Sequence, residues 1–197
     1  MTTITWDILD RAHTALRAAV AGVPDDHWGR PTPCSEWDAT QVLQHAAGDQ
    51  LGYAAFLGHG QGPDSDPFAP SGSLSTSVTD LLEPALAAAA EAFAGVAADT
   101  ADVPVPLPQG PLPASVAVGA CALDAAVHAW DIAVATGQAS PLDDALAAEL
   151  KEVAVQIVEP LRGFAYAPAL EAPGGEDSAL ADLLRYLGRD PGWSSAA

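Results

Sequence analysis

The chain has 197 residues, 49% of them hydrophobic, and carries 26 acidic against 7 Lys and Arg residues for a formal net charge of −19. A surface this acidic repels phosphate backbones and anionic headgroups, so neither nucleic acid nor a membrane is an expected partner, and solubilisation is the plain reading of the charge. Abundant Ala and Leu with few aromatics favour closely packed helices, so an all-α fold in a single domain over residues 1–197 is expected.

Cys34 and Cys121 stand far apart, which is neither a disulfide framework nor a zinc-finger spacing. The amino terminus has charges inside its apolar periodicity, and no uninterrupted run is expected to approach the roughly 18 apolar residues of a membrane span. A reducing, cytoplasmic location follows as the expectation.

Helical spacing of Ile8, Leu9, Ala12, Leu16, Ala19 and Val20 predicts a first amphipathic helix over residues 5–21. Three prolines and a glycine make residues 24–37 a crossing loop, held down by Trp28 and Trp37. Asp38 with Gln41 is a capping-box pattern, and Trp37 with Val42 occupy staple positions, so a second helix runs from 39 to about 57. His45 lies at the edge of its apolar stripe. Residues 58–76 are dense in Gly, Pro, Ser and Asp and read as a loop, where His59 is an exposed loop histidine. A third helix is expected over 78–97 and an extended, proline-rich connection over 99–113.

The stretch PLPASVAVGACALDAAVHAWDIAVATG, residues 111–137, reads as one long buried helix with Pro113 in its first turn and Gly137 at its end. A further helix is expected over 141–158 with Ser140 as its cap, and a short last one over 178–187 stopped by Gly188. No nucleotide-binding glycine motif, GxSxG or HExxH occurs.

Asp124 and His128 are one turn apart on the long helix and point the same way. Such a pair can grip one metal ion but supplies only two ligands; the other reading is a hydrogen bond between two buried polar groups. His45 becomes a candidate third ligand because that pair exists.

Four blocks carry a likeness to known proteins: TPCSEWDATQVLQH (32–45), GDQLGYAAFLG (48–58), DAAVHAWDIAVATG (124–137) and LLRYLGRDPGW (183–193). They resemble the DinB / mycothiol-dependent maleylpyruvate isomerase-like superfamily, in its short actinobacterial metal-binding branch. The resemblance implies a DinB-like four-helix bundle with accessory C-terminal helices. It also implies a metal held by His45, Asp124 and His128, with Asp131 orienting a ligand imidazole. Relatives commonly have glutamate where this chain has Asp124. A counterpart of the full isomerase's extra carboxyl-terminal domain is not expected, so the resemblance is not taken to imply maleylpyruvate as substrate.

A two-histidine, one-carboxylate set leaves coordination positions open, as in catalytic zinc sites, with nickel or iron as other occupants. The first functional expectation is a divalent-metal protein using mycothiol, a low-molecular-weight thiol, as a transferase or isomerase on a small electrophilic molecule. Alternatives are a thiol-independent hydrolase or secondary-metabolism tailoring enzyme, and a non-catalytic metal-binding protein. Arg30 and Arg162 are expected either to contact a substrate carboxylate or to hold surface ion pairs. Neither cysteine is expected to have a base beside it, and a homodimer is compatible with a bundle.

Overall fold

A computed structural model describes residues 6–172 and 178–195. Over those residues the protein is all-helical, with α1 (Asp7–Ala21), α2 (Ala39–Phe56), α3 (Val78–Ala94), α4 (Ala114–Ala135), α5 (Asp144–Ile157) and α6 (Ala179–Tyr186). Two short 3₁₀ turns and isolated bridges complete it, with no extended strand among the described residues. Helix α4 packs on α1, α2 and α5; α2 also packs on α3, and α3 touches α1. The first four helices thus close a bundle in which α1 lies diagonal to α2 and α3 to α4. Helix α5 covers α4 from outside, and α6 lies on α5.

The reason for this order is the composition of α4. Twenty of its 22 residues are buried, and small side chains let its neighbours approach closely. A Cβ on Gly119 would lie 2.5 Å from Val153 of α5, so glycine sets that helix spacing. Asp124 and Asp131 interrupt the apolar run of α4, yet an 18-residue window of it has mean hydropathy 1.4 and is long and apolar enough to cross a membrane. The whole window is buried among the other helices, the setting of a core helix.

Local signals place the ends. The capping box on α2 forms as expected: Gln41 N–H donates to Asp38 Oδ1 at 2.8 Å, and Asp38 N–H donates to Gln41 Oε1 at 3.1 Å. Pro113 caps α4 from just outside the helix, and Gly137 takes φ +83° after its end. Helix α3 stops at Ala94 before Gly95, short of 97. Helix α5 begins later than expected because Asp143, not Ser140, accepts the capping bond from Leu146 N–H, while Ser140 closes its own turn onto Leu142. The expected start of α1 at Thr5 lies outside the described residues; the helix begins after Trp6.

Candidate metal centre

Helix α2 brings His45, and helix α4 brings Asp124 and His128, to one end of a cavity of about 1210 Å³. The three ligand atoms lie within 4.8 Å of one another. Asp124 Oδ1 is 3.4 Å from His128 Nε2 and 3.7 Å from His45 Nε2, near the roughly 3.4 Å edge of a tetrahedron built on metal–ligand bonds of about 2.1 Å. The structure therefore brings all three sequence-selected residues together.

Each imidazole is held so that Nε2 faces the common point. The ring of His45 donates from Nδ1 to the Pro67 carbonyl at 3.0 Å, since a carbonyl can only accept. Burial, followed by the charge of His128, pulls the His45 pKa down to about 4, so its Nε2 carries a free lone pair at neutral pH. His128 donates from Nδ1 to Asp131 Oδ2 at 3.0 Å. Burial disfavours the His128 cation, but Asp124 and the hydrogen bonds to Asp124 and Asp131 outweigh it and hold its pKa well above the usual value.

The test of fit is Asp124 itself. Its Oδ2 is buried and has no hydrogen-bond partner. A buried carboxylate oxygen without a donor is costly and uncommon in a native fold, and here it sits beside two imidazoles aimed at the same space. Two imidazole nitrogens and a carboxylate suit a borderline divalent ion such as zinc, nickel or iron(II), so these residues fit a metal.

Behind His128 lies a buried ion pair. Arg189 donates from Nε and Nη2 to the two oxygens of Asp131 at 2.9 and 2.8 Å, and Asp131 is 0% exposed. Burial would raise the Asp131 pKa, but Arg189 and then His128 drive it below the usual carboxylate range. Asp131 thus accepts from His128 and is locked by Arg189, a support of the kind that orients ligand imidazoles. Gly188 delivers that arginine: it ends α6 at φ +79°, where a Cβ would come within 2.8 Å of Ala167.

Three groups escaped the sequence reading. Arg189 was hidden because it is 58 residues from its partner. Asp49, one turn after His45, places Oδ2 3.8 Å from His45 Nε2; burial and the charge of Asp124 raise its pKa well above the usual value. Its i, i+4 spacing from His45 was the available signal. Cys34 corrects the expectation that neither cysteine has a base beside it. Its Sγ donates to Asp131 Oδ2 at 3.2 Å and accepts from Arg189 Nη2 at 3.2 Å. Arg162 instead binds Glu159 at 2.8 Å, and Arg30 does not line the cavity.

A helical bundle with this site defines a class, and the family comparison agrees: the chain belongs to the mycothiol maleylpyruvate isomerase N-terminal domain family, whose model matches residues 9–133. Among curated proteins it is 36% identical over 183 residues to Uncharacterized protein Rv0738 of Mycobacterium tuberculosis strain H37Rv, covering 91% of this chain and 94% of that one. Uncharacterized protein MT0763 of strain CDC 1551 matches with the same figures. No solved structure gives a significant match.

Proposed function

We propose that His45, Asp124 and His128 hold one divalent cation, with zinc the first choice and nickel or iron(II) the others, and that the cavity receives a small-molecule thiol of the mycothiol kind together with a small-molecule substrate. The observation that carries this is the partnerless buried Asp124 Oδ2 beside two convergent imidazole nitrogens. When bound, such an ion supplies Lewis acidity that makes a thiol or water nucleophilic at neutral pH.

The chain's own residues do the rest. His45 is neutral with Nε2 free, and the Pro67 carbonyl keeps its proton on Nδ1. Asp131 holds the His128 Nδ1 proton and fixes the ring, and Arg189 keeps Asp131 ionised. Tyr166, pushed up to about 12 by burial and by Asp124, presents a neutral hydroxyl at the cavity wall. Because Arg189 follows α6 and completes a cluster on α4, residues 1–197 are read as one domain. The opening of the site onto a cavity favours catalysis over a purely structural ion.

Elemental mass spectrometry on untagged protein tests the site. Wild type should carry about one equivalent of a transition metal, and His45→Ala and His128→Ala should lose it. Wild type that stays metal-free after incubation with zinc, nickel and iron(II) overturns the reading. Turnover that requires added thiol then separates the transferase or isomerase from a hydrolase.

A further inference from the structure

From the cavity's lining we infer that its substrate pocket takes an uncharged aromatic small molecule and discriminates against carboxylates, an inference that rests on the cavity being the substrate site. Two independent features carry it, one of charge and one of shape.

The first is that no side-chain cation is left uncompensated. Among the described lining residues Arg189 is the one Lys or Arg, and its charge is answered by Asp131, whose two oxygens accept from Nε and Nη2 at 2.9 and 2.8 Å, with Cys34 Sγ also accepting from Nη2. Any charge on His128 is answered by Asp124 at 3.4 Å and Asp131 at 3.0 Å. Glu36 and Asp124 add carboxylates to the same walls, so even a bound dication meets acidic groups already in place. Apart from a bound ion, a carboxylate substrate would leave water for a pocket whose positively charged side chains are already answered by carboxylates, and burying a poorly paired charge is strongly unfavourable.

The second is an aromatic strip that starts at the candidate ligand and runs to the rim. The Trp37 ring lies 4.6 Å from that of His45, His45 lies 5.3 Å from Phe68, and Phe68 lies 5.2 Å from Phe164. At the outer end Phe164 is 73% and Phe68 47% exposed, and Phe56, also on the cavity wall, is 55% exposed. Large apolar side chains are left in water here beside a concave, largely apolar cavity, which is how small-molecule sites are built and not how a protein hides its core. A flat apolar ring can stack along this strip, offset or edge-on, while its reactive end reaches the donor cluster.

The test uses methyl cinnamate, cinnamate and maleate as probes: a neutral aromatic ester, its anion and a dicarboxylate. Dissociation constants are measured by ligand-observed NMR and calorimetry on the protein as purified, with its metal content recorded, and again after chelation. Methyl cinnamate should bind at least about tenfold tighter than cinnamate, and maleate should not bind measurably. Phe68→Ala and Phe164→Ala should each weaken the ester about threefold or more, with unfolding temperature unchanged because both rings are exposed. Cinnamate or maleate binding as tightly as the ester in either state overturns the proposal. So does ester affinity unaltered in both Phe variants, or no ester binding up to its solubility limit. Failure of the metal reading shows separately, in the elemental content.

Discussion

Helix α4 carries two buried polar clusters about one turn apart, and they have opposite designs. At Cys121 the cluster is closed. Gln50 donates from Nε2 to the Cys121 carbonyl at 3.1 Å, while its Oε1 accepts from His13 Nε2 at 2.8 Å and from the Cys121 thiol at 3.1 Å. At Asp124 the cluster is open: two imidazole Nε2 atoms face a carboxylate whose second oxygen has no donor, at the wall of a large cavity. Both combine a histidine with polar groups of α2 and α4, in the same apolar bundle. The difference lies in satisfaction. A cluster whose donors and acceptors cancel has nothing left to bind with, whereas one that leaves a carboxylate oxygen without a donor beside a free imidazole nitrogen is built for something added.

Four experiments break or sharpen that contrast. The largest effect is expected behind the open cluster. Asp131→Ala strands the buried Arg189 cation and should cost about 3–5 kcal/mol in urea unfolding, besides loosening His128. A loss below about 1 kcal/mol would show that the ion pair does not carry the weight its geometry implies.

In the closed cluster, Gln50→Leu removes three hydrogen bonds at once and leaves His13 and the Cys121 thiol unpaired. Stability should fall by about 2–3 kcal/mol, with metal content unchanged. Loss of metal in this variant would mean that the two clusters are not independent.

Asp124→Asn in the open cluster should do the reverse. Metal content is lost, while the metal-free protein changes by about 1–2 kcal/mol, because the oxygen replaced had no hydrogen-bond partner and only the charge opposite His128 is removed. Chelation should lower the unfolding temperature of wild type and leave that of the variant where it is.

The smallest effect is a pH dependence. Burial, the largest influence on His13, pulls its pKa below the ordinary histidine value, so between that lowered pKa and about 6.5 the unfolded chain binds more protons than the folded one. Stability from this group is present above about 6.5 and is lost as pH falls toward the folded pKa. His13→Asn should flatten the stability slope below pH of about 6.5, measured by denaturant titration; an unaltered slope would place the linkage elsewhere.

Much of the bundle is legible in the chain. The capping box at Asp38, the stripe of α1 and the small-residue run of α4 each depend on contacts within one or two helical turns, which is the range over which sequence spacing is informative. The Asp124 and His128 pair belongs to the same class. The cap of α5 misleads because Ser140 and Asp143 are both capping residues, and only the backbone path shows which one meets the first free N–H groups.

The sequence by itself determined which residues form helices, which faces are apolar, and that one carboxylate and one histidine share a face of α4. Tertiary structure alone decided what joins them. Arg189 reaches Asp131 across 58 residues, Cys34 reaches it across 97, and the Pro67 carbonyl fixes the tautomer of His45 from a loop. Those contacts follow from how α2 and the segment after α6 come to rest against α4. Local spacing is silent on them, because a hydrogen bond between distant segments leaves no period in the chain.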